Sequence, residues 1–117
     1  MLICTPIQVT SQKEAKKTLT ALKGKVDMAE IWLDQIKDLN VADLLKNKPL
    51  PVICVCKKAI EKGGFKGTYN EVISVLISAL RHGSDYIDVP LKIFDLGSRI
   101  SDFKSQIKNH HLLSQLC

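Results

Sequence analysis

The sequence predicts an α/β fold of about four consecutive βα units around a parallel sheet. Three observations carry this: short apolar runs alternate with amphipathic stretches, Ser/Thr-x-x-Glu caps stand at helix starts, and glycines stand at helix ends. Helices between consecutive strands act as crossovers, so neighbouring strands run parallel. Four such units make half of a (β/α)₈ barrel, whose complete form takes roughly 250 residues. The same order also fits a small open, doubly wound sheet. Pattern alone leaves both standing.

Leu2 to Ile7 is a short apolar run with strand character. Ser11-Gln12-Lys13-Glu14 reads as a capping box, followed by Ala15, Leu19 and Leu22 at helical spacing and by Gly24 at the helix end. Val26 to Leu33 is the second strand, and Asn40 can cap a short helix through Leu45 that Pro49 and Pro51 close off. Pro51 to Cys56 is continuously apolar, as a strand buried on both faces should be. A polar loop from Lys57 to Gly67 leads into a second capping box, Thr68-Tyr69-Asn70-Glu71. The helix it opens carries Val72, Val75, Leu76, Ala79 and Leu80 on one face and ends at Gly83. Tyr86 to Val89 is a fourth strand, and Ser98 to Lys108 can form a fourth helix around Ile100, Phe103 and Ile107.

At 117 residues, with 45% apolar and 25% charged residues, the chain has the composition of one globular domain spanning 1–117. No run approaches the roughly 20 apolar residues of a membrane span, so no membrane partner is expected. The opening residues lack the basic region of a signal peptide, which makes the cytoplasm the expected location. A net charge of +5 raises the question of nucleic acid. The basic residues are interleaved with acids and accompanied by few aromatics, so a solvated basic surface, with no nucleic-acid partner, is expected. Cys4, Cys54 and Cys56 fall in strand-like runs and read as buried thiols of a reducing compartment. A single Cys54-x-Cys56 pair without further ligands at metal spacing gives no metal site, and no cofactor is expected.

In either architecture, function belongs at the C-terminal ends of the strands. Strand alternation puts Glu30, Trp32 and Asp34 on one side of the second strand. A carboxylate within that apolar run needs a partner, and for Glu30 a neighbouring base is the plain expectation. Trp32 by itself reads as core packing. Lys57 ends the third strand, and Glu61 precedes Gly63-Gly64-Phe65-Lys66-Gly67. Taken alone this is a flexible basic turn; its glycine spacing is not that of a phosphate-binding loop.

Four segments in order give a more specific reading: Leu2 to Ile7, Glu30-Ile31-Trp32-Leu33-Asp34, the Lys57 to Gly67 loop, and Gly83-Ser84-Asp85-Tyr86-Ile87-Asp88-Val89. Together they resemble type I 3-dehydroquinate dehydratases, whose pattern runs I-C-x-P-I, E-x-R-x-D, R-x-x-x-E-G-G-x-F-x-G and G-A-D-Y-I-D-x-E. The resemblance spans residues 2–91 and implies the N-terminal half of a (β/α)₈ barrel. It also implies the dehydration of 3-dehydroquinate to 3-dehydroshikimate in the shikimate pathway. There, a barrel lysine forms a Schiff base with the substrate ketone and a histidine removes the neighbouring proton. By position, Glu30 matches the glutamate that organises the substrate end. Asp34 matches the aspartate of the same motif, and Glu61 matches the glutamate that orients the catalytic histidine. Trp32 and Lys57 stand at two substrate-site arginine positions; the first loses the bidentate cation and the second keeps only the charge. Lys62 is inserted between Glu61 and the glycines, and Pro90 replaces an acidic residue. The fifth strand, expected at 112–116, places Leu116 at the histidine's position, with His110 and His111 at the wrong end.

The chain stops at Cys117, before a strand that would present the Schiff-base lysine. The expectation is a truncated or degenerate family copy, inactive alone, that retains Glu61 as its catalytic element and Glu30, Trp32 and Lys57 as its substrate-binding elements. The competing expectation is a non-catalytic half barrel that pairs with itself or with a complementary half through its open edges. A third is an unrelated α/β binding protein that uses the basic 57–67 loop as an anion site.

Overall fold

A computed structural model of the chain describes residues 2–89 and a strand at 111–113. Five strands, β1 (Cys4–Ile7), β2 (Met28–Trp32), β3 (Val52–Val55), β4 (Tyr86–Asp88) and β5 (His111–Leu113), form one sheet in the order β1-β2-β3-β4-β5. Every pairing is parallel. Between them lie α1 (Gln12–Leu22), α2 (Val41–Leu45) and α3 (Tyr69–Arg81), with 3-10 turns at Leu33–Gln35 and Ala59–Glu61.

Side-chain alternation along the strands resolves the choice between half barrel and doubly wound sheet. Ile7, Ala29, Ile31, Val52, Cys54 and Ile87 share one face and form a single buried cluster with Ala15 and Leu19 of α1, Leu44 and Leu45 of α2, and Val72, Leu76, Ala79 and Leu80 of α3. All three helices among the described residues therefore cover the same face. A doubly wound sheet would divide them between two faces. Consecutive strand order with one-sided helices is the winding of a (β/α)₈ barrel. The opposite strand face holds a smaller apolar group, Met28, Ile53 and Val55, with Cys4, Trp32 and Tyr86 packed against it. That face corresponds to a barrel interior.

Local signals set the element ends. At Thr68 the capping box is complete: the Glu71 N–H donates to Thr68 Oγ1 at 3.2 Å and the Thr68 N–H donates to Glu71 Oε1 at 3.3 Å. At Ser11 only the first half is made, with the Glu14 N–H donating to Ser11 Oγ at 3.2 Å. Asp38 supplies the second contact there, accepting the Gln12 N–H at 2.8 Å. Gly83 follows α3 with φ of 106°, a left-handed backbone that side-chain-bearing residues resist.

The expected second strand is shortened to Met28–Trp32, because Leu33 to Gln35 turn into a 3-10 helix. The fifth strand begins at His111, which pairs in register with Tyr86, so His111 occupies its N-terminal end as expected. The expected helix at 98–108 and the Ser114 to Leu116 stretch lie outside the described residues. Cys54 and Cys56 are buried free thiols, as expected. Burial pushes both up to about 12, so they stay protonated at neutral pH. Cys4 departs from that expectation: it is half-buried and disulfide-bonded. Among the described residues no helix is long and apolar enough to cross a membrane.

Candidate functional site

The inner strand face changes from apolar to polar towards the C-terminal ends of the strands. On β2 the alternating positions are Met28, Glu30 and Trp32; on β3 and just beyond they are Ile53, Val55 and Lys57; on β4 they are Tyr86 and Asp88. Register aligns Trp32 with Val55 and Val55 with Asp88, so Trp32 and Asp88 flank the end of β3. Lys57 emerges between them.

These side chains form a connected row. The Trp32 indole Nε1–H donates to Glu30 Oε1 at 2.7 Å. The Lys57 ammonium lies 5.5 Å from the centroid of the Trp32 ring, a cation–π distance. The same ammonium stands 3.8 Å from Asp88 Oδ2. Three of the four sequence-predicted site residues, Glu30, Trp32 and Lys57, are thus brought together. Glu30 differs from its expected role in one respect: its partner is the indole two residues on along the same strand face, not a base.

Asp88 was not among the expected site residues. Its position was readable, since it ends an apolar strand with the parity of Tyr86, but its partner Lys57 lies on another strand, 31 positions away in sequence. Burial holds the Asp88 carboxyl above the usual carboxylate range, and the Lys57 ammonium pulls it back down.

Asp34 lies in the 3-10 turn after β2, where strict strand alternation no longer applies. It does not join the row. Its carboxylate instead accepts the Lys57 N–H at 3.3 Å and the Gly64 N–H at 2.7 Å, fastening the 57–67 loop to the end of β2. The loop is further closed by the Phe65 N–H donating to the Lys57 carbonyl at 3.0 Å. Gly63 packs so closely on that strand end that a Cβ would overlap the Lys57 carbonyl oxygen. The loop that reads as flexible in sequence is therefore pinned at several points.

Glu61 takes a different position. It ends the 3-10 turn Ala59–Glu61, and its Oε1 accepts the Lys58 N–H at 3.4 Å. Lys62 follows in the left-handed region with φ of 67°. Tyr69 lies beside Glu61; burial, then the Glu61 charge and hydrogen bond, raise the phenol's pKa. The Lys58 ammonium sits 4.5 Å from the Tyr69 ring centroid. Among the described residues, the contacts of Glu61 run to Lys58 and Tyr69, not to the Glu30–Trp32–Lys57–Asp88 row. The described residues hold no group of three or more His, Cys, Asp or Glu placed to bind a metal ion.

Sequential parallel strands, helices on one face only, and polar side chains gathered at the C-terminal strand ends define the opening segment of a (β/α)₈ barrel. The chain belongs to the type I 3-dehydroquinase family, whose sequence model matches residues 3–114. It is 32% identical over 121 aligned positions to the chloroplastic bifunctional 3-dehydroquinate dehydratase/shikimate dehydrogenase of Arabidopsis thaliana, covering 94% of this chain and 20% of that protein. It is 35% identical to the 3-dehydroquinate dehydratase of Methanococcus vannielii, covering 78% of this chain and 42% of that protein. The chain thus spans less than half the length of these relatives. In fold it is similar to the type I 3-dehydroquinate dehydratase of Clostridium difficile, with a TM-score of 0.73 at 20% identity over 92% of this chain and 45% of that one. The dehydroquinate dehydratase and shikimate dehydrogenase of S. pombe gives a TM-score of 0.71 at 20% identity, over 95% of this chain and 23% of that one.

Proposed function

We propose that residues 1–117 form a single half-barrel domain carrying the substrate-end part of a 3-dehydroquinate site, and that these residues do not dehydrate 3-dehydroquinate unaided. The observation that carries this reading is the convergence of Glu30, Trp32 and Lys57 at the C-terminal mouth of the inner face; by resemblance of their motifs they would correspond to the family's substrate positions. In the family reaction a lysine amine condenses with the substrate ketone and releases water. A histidine then takes the adjacent C–H proton, the hydroxyl leaves as water, and hydrolysis of the iminium frees 3-dehydroshikimate. In this chain Glu30 and Lys57 would hold the substrate's polar groups, and the Trp32 ring would lie against its carbocycle. Glu61 would orient a histidine, but Leu116 stands at the position that matches it, and no lysine follows Lys108 in these residues. The remaining strands, with the amine and the base, would come from a continuation of the chain or from a second polypeptide.

The test is to incubate the purified 117-residue chain with 3-dehydroquinate, follow the conjugated enone of the product by ultraviolet absorbance, and then add borohydride and weigh the protein. No absorbance growth and an unchanged mass are expected. Ready turnover, or a reduced substrate adduct on any lysine, would contradict the reading.

One observation favours a second reading, a half barrel that works by association. Among the described residues β1 is an edge strand, and Leu2 and Ile3, at 47% and 52% exposure, precede it; apolar side chains beside a sheet edge invite association. Sedimentation distinguishes the two: a stable monomer at micromolar concentration removes the self-pairing form of this reading.

A further inference from the structure

We infer that a cavity on the helical side of the chain is a binding site for a phosphoryl group, held by Lys16, Lys46 and Lys48. The cavity measures about 70 Å³ and lies between α1 and the segment that joins α2 to β3. Its walls have local causes. Lys16, Leu19 and Thr20 share one helical face through their spacing of three and four residues. Asn47 takes a left-handed backbone with φ of 53°, which turns the chain between Lys46 and Lys48. Leu19 and Leu44, both 1% exposed, supply the apolar part of the lining. Lys48 and Pro49 lead into β3, so the cavity stands towards the N-terminal ends of the strands. The Glu30–Trp32–Lys57–Asp88 row lies at their C-terminal ends, and the inference does not depend on the function proposed for it.

The lining decides the ligand class. It carries three lysines and no carboxylate. Asp43 pairs with Lys16 at 3.2 Å and Asp85 with Lys48 at 3.1 Å, but neither aspartate lines the cavity. Each pairing takes one N–H of an ammonium that has three, which leaves the others for a second acceptor. Lys46 enters no ion pair among the described residues, so the three lysines keep a net positive charge over the two aspartates. The backbone at the end of α2 offers little opposition to an anion: the Asp43 and Leu45 carbonyls accept the Lys46 and Lys48 N–H, each at 3.3 Å. The Thr20 hydroxyl donates to the Lys16 carbonyl at 3.1 Å, so it offers a ligand its oxygen as an acceptor. An anion with several acceptor oxygens and one hydroxyl fits this set, as monoprotonated phosphate does. Size agrees: one water takes roughly 10–15 Å³ of cavity space, which gives the cavity room for about five non-hydrogen atoms, the number in phosphate.

Inorganic phosphate is titrated into the full 117-residue chain at constant ionic strength, with chloride as the balancing anion, and binding is read from ¹H–¹⁵N NMR shifts. Saturable shifts are expected at the amides of Thr20, Lys46, Asn47 and Lys48. Lys46→Met should weaken binding roughly three- to fivefold, as loss of one partly exposed charge contact does. Lys13→Met removes an exposed charge from the same helix outside the cavity and should leave the affinity unchanged. Asp43→Asn releases Lys16 and should tighten binding by a similar factor. Equal weakening by Lys46→Met and Lys13→Met would overturn the inference. In the unsubstituted chain, shifts that grow without saturation, or that chloride alone reproduces, overturn it even if a variant fails to fold. Glycerol 3-phosphate separates the two sources of a phosphoryl group. Binding at least as tight as that of phosphate assigns the site to a phosphate ester, weaker binding assigns it to the free anion, and binding of neither ends the proposal.

Discussion

Replacing Leu76 by alanine is expected to cost about 3 kcal/mol of stability, the largest single effect the fold predicts. Leu76 has no exposed surface and stands on α3 in the cluster that joins all three helices to the sheet. Its truncation removes buried methylenes and leaves a cavity between α3 and the strands, where parallel pairing holds the wall and limits collapse. A domain of this length holds only about 5–15 kcal/mol of net stability, so the variant should unfold at a much lower urea concentration. Ile60, at 84% exposure, is the matched control: its alanine variant should shift stability by no more than about 0.5 kcal/mol. Urea melts followed by circular dichroism compare the two. Similar midpoints for both variants would mean that α3 does not pack as described.

The second large effect is expected at Gly63. An added Cβ would overlap the Lys57 carbonyl oxygen and stand 2.6 Å from the Lys57 Cβ, so the backbone itself has to move. That movement disturbs the Gly63 N–H to Lys58 carbonyl bond of 2.9 Å and the Phe65 N–H to Lys57 carbonyl bond of 3.0 Å. Gly63→Ala should therefore cost about 2 kcal/mol through strain and weakened hydrogen bonds. It should also displace Lys57 from Trp32, which the chain's one tryptophan reports directly by its fluorescence. Unchanged emission together with unchanged stability would show that the loop is not fastened to the strand end.

Much of this architecture was legible in the sequence. The Thr68 and Ser11 caps, Gly83, and the apolar runs around Cys54 and Ile31 locate elements because each is a local signal with a local cause. The handling of the helices was not legible. Periodicity says that a helix has an apolar face, not which side of a sheet receives it, and only the shared cluster of Leu19, Leu44 and Leu76 decided for one side. The site shows the same division. Strand alternation placed Glu30 and Trp32 together, because the period of two is a property of the strand itself. The same rule misplaced Asp34, since the strand gives way to a 3-10 turn after Trp32. The pairing of Lys57 with Asp88 depends on the register of β3 against β4, which no local pattern encodes.

Glu61 shows how far motif matching carries. Its place in the loop follows from order and spacing, yet its carboxylate is engaged by Lys58 and Tyr69 and the residue after it takes a left-handed backbone. Family position and side-chain contact are separate facts at this residue. At the inner-face row, by contrast, Glu30, Trp32 and Lys57 stand together.

That row is the central element of the account, and the single tryptophan gives direct access to it. In a ¹H–¹⁵N NMR spectrum the chain has one indole N–H signal, from Trp32. With Glu30 Oε1 at 2.7 Å, that proton should resonate downfield of a free indole and exchange slowly with water, and Glu30→Gln should move it upfield. An indole proton at the free-indole position, exchanging rapidly and indifferent to Glu30→Gln, would show that the Glu30–Trp32–Lys57–Asp88 row does not exist in solution.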